Sequence, residues 1–503
     1  MDLILLTCFA LLILLFTYLR HSYQYWVSHG VPQLKMNFLF GTIFQIKTIH
    51  KMELLNEVYR EFHGKAKLAG TYVFTKPIAV ILDLDLVKCI LLKDFNKFTD
   101  RFERRKSTDE FLHQHLFRVA GEKWRPLRTK LTPTFTSAKM KYMFSTVIKV
   151  ADQLEEAFAA HLTETPSGDV ELHDFMGRFT TDVIAHCAFG VECDSLKDPN
   201  VEFRRLGIDH FYPNYYSVTL RTFMITYPAI FNYLKMFNIS HFPIGAEDFV
   251  LRLVRDTVCV REEQNIQRND FINLLIEMKN SKDLNGAPLL SMEEMAAQVF
   301  IFFIAGFETS SSNITFGLFE LAKNPQIQEK LRAEILTVLE KHNGELTYEG
   351  MMEMTYLDQV ITETLRKYPP LAALTRVATD DYKIPDTDIT LEKGTHIYIP
   401  MKEIHYDPEI YENPEEFRPE RFNPEEVEKR HPQAFLSFGD GPRNCIGLRF
   451  GRMQVRVGFI TLLKSYRFSL SEKTPTELEV SKYSLVLVPQ DKVWLKVEKF
   501  SKL

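Results

Sequence analysis

The chain has no paired cysteine spacing. Its six cysteines (Cys8, Cys89, Cys187, Cys193, Cys259, Cys445) are scattered over 503 residues with no C-x-x-C pair. That argues against a disulfide framework. There is no basic excess either: 61 Lys and Arg face 66 Asp and Glu, for a net charge of −5. Nothing in that balance supports nucleic-acid binding. Internal repeats and long low-complexity segments are also missing. So are the basic start and small-residue cleavage site of a secretory signal.

What the chain does have is length enough for a large core and 40 phenylalanines. Leu3 to Leu19 is uncharged and almost wholly apolar. As a helix it would reach about 25 Å, close to the thin endoplasmic reticulum bilayer. Tyr23, Tyr25 and Trp26 follow where an interfacial aromatic belt belongs, and the basic flank places the rest of the chain in the cytosol. Residues 1–22 are thus expected to be a retained anchor. Residues 23–35, broken by Gly30-Val31-Pro32, read as a hinge, and 36–503 as one catalytic unit.

Extended runs at Tyr72–Phe74 and Ile78–Leu82 predict strands, with Lys76-Pro77 as the turn between them. Helical periodicity dominates from about 120 to 370. Thr395–Pro400 and Leu485–Val488 read as further strands. The expected class is mainly α with small β-sheets.

Cys445 stands apart from the other cysteines. It lies in Phe438-Gly-Asp-Gly-Pro-Arg-Asn-Cys445-Ile-Gly447, a loop broken by glycine and proline. Such a loop turns tightly enough to aim N–H groups at sulfur. An amphipathic helix is expected to follow, from Ile446 to about Leu463. Its positive end favours a thiolate.

Ser291-Met-Glu-Glu294 is a capping box. It opens a helical run that Asn324-Pro325 stops, a rod of about 48 Å. At its middle stand Ala305, Gly306, Glu308 and Thr309. A helical glycine costs about 1 kcal/mol relative to alanine, and a small residue there admits a bulky planar group. On the residues alone, two readings of Thr309 stay open: it bonds its own i−4 carbonyl, or it serves a bound ligand. Glu308 is likewise either a solvated acid or a proton source.

Glu363 and Arg366 lie one helical turn apart, ahead of Pro369-Pro370. Trp124 and Arg128 also lie about one turn apart, at i, i+4, where the first pair is at i, i+3. Together these motifs resemble the cytochrome P-450 family. The loop matches F-x-x-G-x-R-x-C-x-G in full, and W-x-x-x-R, A-G-x-E-T, E-x-x-R and P-E-R-F occur in the expected order. Cys445-Ile-Gly-Leu-Arg-Phe-Gly-Arg-Met-Gln454 and Phe98-Thr-Asp-Arg101 look most like the insect microsomal detoxification branch.

The resemblance implies a P-450 fold, with haem b between the long helix and the cysteine loop. Cys445 would ligate the iron, flanked by Phe438 and Gly447. Trp124, Arg128, Arg376, Arg443 and Arg101 would hold the propionates, and Ala305 would face the porphyrin. Thr309 and Glu308 would deliver protons. Glu363, Arg366 and Arg421 would brace the loop as a buried triad.

It further implies an oxidoreductase: a membrane-bound monooxygenase of the endoplasmic reticulum. It would use O₂, a lipophilic substrate and NADPH-derived electrons from NADPH-cytochrome P-450 reductase, with cytochrome b5 as a second donor. Rival readings are a haem-thiolate isomerase or dehydratase and a non-catalytic haem sensor.

A basic docking face is expected from Arg125, Lys130, Lys139, Lys141, Arg449, Arg452 and Arg456. The aromatic stretch from Phe203 to Phe242 reads either as ordinary packing or as a lid dipping into the bilayer. Substrate contacts are expected at 102–117, 203–242, 300–307, 371–374 and 483–485. No specific polar anchor that would name the substrate can be read from them.

Overall fold

Ser291 and Glu294 cap the longest helix among the described residues. The Glu294 N–H donates to Ser291 Oγ at 3.1 Å, and the Ser291 N–H to Glu294 Oε2 at 3.0 Å. Both sequence-predicted arms of the capping box are made. The structure is a computed structural model describing residues 2–35, 56–102, 110–212, 218–227, 230, 233, 239–268, 270–282, 289–481, 484 and 486–500. The expected boundary between hinge and catalytic unit at 35/36 borders residues outside that set.

In chain order, α1 (Asp2–Ser22) leads into a hairpin of β1 (Leu68–Val73) and β2 (Lys76–Ile81). Then come α2 (Trp124–Leu131), α3 (Ser137–Glu164), β3 (Asp169–Glu171), α4 (Leu172–Ile184), α5 (Glu202–Phe211), α6 (Val218–Thr226) and α7 (Ala246–Glu263). The capped rod is α8 (Met292–Lys323), and α9 (Thr355–Lys367) carries Glu363 and Arg366. After β4 (Leu374–Val377) and β5 (His396–Ile399), the chain reaches α10 (Leu448–Leu463), β6 (Tyr466–Leu470) and β7 (Trp494–Lys499).

One sheet has the order β1-β2-β5-β4, with only β2 and β5 parallel. The other has the order β3-β7-β6. Two sequence expectations fail here. The hairpin turns at Phe74-Thr75, with Phe74 at φ 55°, and not at Lys76-Pro77. Pro77 pairs with Tyr72 inside β2 and lies ahead of Ile78, the first residue paired with β5. Its missing N–H therefore interrupts nothing in the parallel ladder. At 485–488 no strand forms among the described residues, only a bridge between Val480 and Pro489.

Two apolar cores result. The larger is helical and centres on α8, which is buried along most of its length. A helix apolar on all sides belongs in such a place. The smaller packs the first sheet and includes Trp26, Tyr72, Val80 and Ile397.

The stretch expected as a hinge is docked on that second core. Trp26 is 1 % exposed, and its Nε1 donates to the Thr71 carbonyl at 3.0 Å. Gln33 bridges to Gly70. A Cβ on Gly70 would lie 2.2 Å from the Trp26 ring, so only glycine admits the indole there.

Candidate active site

The cysteine loop is built by short-range hydrogen bonds. The Cys445 N–H donates to the Phe438 carbonyl at 2.8 Å, and the Asn444 N–H to Gly441 at 3.0 Å. Gly441 has φ +70°, and a Cβ there would sit 1.9 Å from the Leu91 carbonyl oxygen. The motif glycine is therefore required twice, by its dihedral and by a neighbouring backbone.

The sulfur opens into a cavity of about 650 Å³. Burial pushes the Cys445 thiol up, while the Gly447 N–H and the Arg128 and Arg101 charges pull it down. On this wall lie Phe438, Gly439, Cys445 and Gly447; Ala305, Gly306 and Thr309 line the same cavity from α8. Ala305 is exposed to it, in a helix otherwise buried nearby. The small residue that leaves room for a planar group is thus Ala305. Gly306 answers a different demand, since a Cβ there would be 3.0 Å from Ile184 of α4.

Thr309 faces the cavity, and its hydroxyl donates to the Ala305 carbonyl at 2.6 Å. The next two carbonyls are also taken by side chains. Gln454 Nε2, from α10, donates to Gly306 at 2.9 Å, and Thr180 Oγ1, from α4, to Phe307 at 3.1 Å. Gln454 and Thr180 are fully buried. Sequence reasoning missed both; a buried Gln nine residues past the cysteine was the available signal.

Glu308 is neither solvated nor on the cavity wall. It is 1 % exposed. Its Oε1 lies 2.7 Å from His173 Nε2 and accepts from Ser312 at 3.0 Å and Tyr212 at 3.3 Å. Adjacent helical residues point about 100° apart, so Glu308 and Thr309 do not share a face. Burial works against a charged His173, but the charge and hydrogen bond of Glu308 outweigh it and raise its pKa.

Four arginines converge on the cavity: Arg101, Arg128, Arg376 and Arg443. Arg101 Nη2 donates to the Arg443 carbonyl at 2.5 Å. Arg128 reaches the Asn444 carbonyl at 3.0 Å and its Oδ1 at 2.8 Å, beside the cysteine. Arg443 donates to the carbonyls of Thr99, Leu116 and Val119 and stacks 4.2 Å over Trp124. Arg376 is 2 % exposed, and its Nε has no hydrogen-bond partner. Burial lowers Arg101 well below its ordinary value, and the other three charges lower it further. Arg376 is pushed down to about 10 by burial alone. Burial and Arg376 bring Arg443 to about 9, against the pull of Asp100.

Clustered cations with an unsatisfied buried N–H call for anions. Two propionates fit that need, and the accessible thiolate position with Ala305 opposite fits the porphyrin. The residues present therefore suit haem.

The triad forms as expected. Arg366 makes a fork to Glu363 at 2.7 and 2.9 Å, with both side chains fully buried. Arg421 Nε stands 3.4 Å from the same carboxylate. Arg366 also donates to the carbonyls of His405 and Pro414, at 2.9 and 2.7 Å. The link to the cysteine loop is His405, which sequence reasoning missed. Its Nδ1 donates to the Arg366 carbonyl at 3.2 Å, and its Nε2 accepts from the Leu436 N–H at 3.0 Å.

The basic face is smaller than expected. Arg452 and Arg456 are drawn to Asp358 at 3.0 and 2.7 Å, and Lys141 pairs with Glu349. Of the expected contact regions, Phe102, Phe117, Phe211, Phe242, Phe300 and Leu374 line the cavity. Phe303 and Phe307 do not, because they fill the crossing with α5 at Gly207. Tyr483 and Leu485 lie outside the described residues. Phe203, Phe211 and Phe242 are buried in the helical core, as the packing reading held.

Comparison with known proteins agrees with this geometry. The family described as Cytochrome P450 matches residues 31–497. "Probable cytochrome P450 6a14" of Drosophila melanogaster is 44% identical over 489 residues, covering 95% of this chain and 96% of its own. "Cytochrome P450 6a2" of the same species is 42% identical over 498 residues, covering 96% and 97%. "Cytochrome P450 6A1" of Musca domestica is 40% identical over 491 residues, covering 96% of each chain. With the family matching residues 31–497 and relatives 40–44% identical over nearly the whole chain, the chain belongs to the cytochrome P450 family of haem b monooxygenases.

Proposed function

We propose that this monooxygenase is anchored in the endoplasmic reticulum membrane and oxidises lipophilic small molecules, whether foreign compounds or endogenous lipids. NADPH-cytochrome P-450 reductase is the proposed electron donor, with cytochrome b5 as a second. The observation that carries the substrate class is the cavity wall, where Phe102, Phe117, Phe211, Phe242 and Phe300 dominate. Support for the membrane comes from α1, whose side chains from Ile4 to Tyr18 are large exposed apolar groups apart from Thr7, Cys8, Ala10 and Thr17. Ile225, Ile230 and Tyr233 are exposed on the aromatic stretch. That stretch touches the hairpin tip, where Tyr227 Oη meets Thr75 Oγ1 at 2.9 Å, and Tyr18 of α1 reaches the same Thr75 at 3.3 Å. Anchor, hairpin tip and aromatic stretch thus share one side. A lipophilic substrate dissolved in the bilayer would meet the cavity there.

Haem, when bound, supplies an iron whose thiolate ligand favours O–O cleavage. The chain contributes the rest. Cys445 would hold the iron, and the four arginines would fix the porphyrin's orientation. The phenylalanines of the wall would disfavour bulk water beside the substrate, which gives a proton route through the chain a use. Thr309 would pass the proton on from the α8 wall of the cavity. Glu308 would take it from His173, which is partly exposed at 20 % of its side chain, and would have to turn from His173 toward the cavity to deliver it.

The test is reconstitution in vesicles with the reductase and NADPH, on a mixed panel of lipophilic compounds, with products read by mass. Products heavier by one oxygen atom are expected, and their formation should stop without NADPH. Turnover confined to water-soluble members of the panel would refute the substrate class.

A further inference from the structure

A second cluster of ligand-grade side chains sits on the cavity wall, away from Cys445. Glu110 stands at the start of a 3₁₀ turn, Phe111–Gln114. In such a turn, residues three apart eclipse. His113 is accordingly brought over Glu110, with its Nε2 3.1 Å from Glu110 Oε2. From the far side, His241 Nδ1 lies 3.1 Å from the same oxygen. The other carboxylate oxygen, Oε1, accepts from Ser240 Oγ at 2.7 Å and from the His241 N–H at 3.1 Å. Glu110, His113 and His241 are nearly buried, with side-chain exposures of 5, 6 and 9 %.

Three features exceed what a hydrogen-bonded clasp needs. Two imidazole nitrogens converge on one carboxylate oxygen, and the three ligand atoms lie within 4.8 Å of one another. Tetrahedral zinc with such ligands would separate its donors by about 3.3 Å, close to the 3.1 Å found at both contacts. The second carboxylate oxygen is already held by Ser240 and the His241 backbone, the kind of outer support that orients a ligand. Finally, both histidines line the cavity, so a fourth position would face it.

We propose that Glu110, His113 and His241 form a site for a divalent transition ion of the zinc class, on the wall of the substrate cavity. The ion would join the 110–114 turn to the stretch after α6, across two walls whose histidines, His113 and His241, are 128 positions apart in the chain. It would be held by two neutral imidazoles and one carboxylate, displacing any proton shared among them.

Zinc chloride is titrated calorimetrically into the metal-stripped holoenzyme, with no substrate present, so the result is independent of the substrate reading above. Wild type should bind one zinc per haem beyond what is bound by each of Glu110→Gln, His113→Gln and His241→Ala. The carbon-monoxide difference spectrum establishes that each variant is folded, and three chemically different variants guard against one that is not. Zinc should also raise the thermal midpoint of wild type but not of the folded variants. A wild-type stoichiometry that survives all three substitutions, or no zinc bound by wild type, overturns the proposal.

Discussion

At the scale of single residues, the two loop glycines make a controlled pair. Both have positive φ, +66° at Gly439 and +70° at Gly441. A left-handed backbone costs a side chain about 1–2 kcal/mol. At Gly439 that is the whole penalty, because nothing lies nearer than 3.8 Å. At Gly441 the new Cβ would also strike the Leu91 carbonyl. Gly441→Ala should therefore lose the long-wavelength Soret band of the reduced, carbon-monoxide-treated protein, while Gly439→Ala keeps it. Equal band intensity in both would show that the Leu91 contact does not shape the loop.

Thr309 and His405 extend the argument to proton chemistry. Thr309→Ala removes a cavity-facing hydroxyl but leaves α8 its backbone, so NADPH consumption should continue with more hydrogen peroxide and less product. An unchanged ratio of product to NADPH would remove Thr309 from proton delivery. His405 bears on stability. Burial, reinforced by Arg366, pushes it down to about 3 from an ordinary 6.5. The unfolded chain therefore binds the extra proton first. Stability is full above pH 6.5 and falls as pH drops toward 3, by at most about 1.4 kcal/mol per unit. Denaturation midpoints from pH 7 to 5 should show this slope in wild type and a shallower one in His405→Gln. His405 was invisible in the sequence because nothing local marks a histidine that will bridge two distant backbones. Glu308, by contrast, is buried against His173, Ser312 and Tyr212, a setting that no local sequence signal announces.

At the scale of elements, α8 and α10 cross through reciprocal glycines. A Cβ on Gly317 would be 2.4 Å from the Phe459 ring, and one on Gly458 2.8 Å from Ile314 Cδ1. Alanine gains about 1 kcal/mol of helix propensity at either site. Overpacking costs about 1–3 kcal/mol and depends on whether the neighbour yields. Both neighbours are fully buried, but the Phe459 ring can yield only by moving as a whole, whereas the contact at Ile314 is its terminal Cδ1 methyl, which a small χ2 rotation shifts. Gly317→Ala should thus be net destabilising by about 1–2 kcal/mol and Gly458→Ala nearly neutral, as read from chemical denaturation. The reverse order would mean that the crossing can slide. The ends of α8 were legible because Ser291, Glu294 and Pro325 act locally. The crossing was not, since it depends on residues about 140 positions apart. The strand expected at 485–488 failed for a related reason: an apolar run states a preference for burial and not a partner strand.

At the scale of the whole molecule, α1, the proposed anchor, is continuous with the catalytic unit. Leu19 and Tyr23 are buried against the first sheet, with the Tyr23 ring edge-on to Tyr72 at 5.1 Å. Trp26 then fills the groove over Gly70. Membrane attachment and fold stability can be separated at this junction, because the exposed part of α1 and the buried indole are different residues. Deleting residues 2–18 should release the protein from vesicles on centrifugation while preserving the Soret band. Trp26→Ala in the full chain should do the opposite: it should still sediment with vesicles but lose about 3–5 kcal/mol, the range for emptying a buried tryptophan site, with a matching fall in thermal midpoint. Were Trp26→Ala as stable as wild type, the segment from 23 to 35 would be a free tether after all, and the packing of Trp26 on β1 would hold nothing in place.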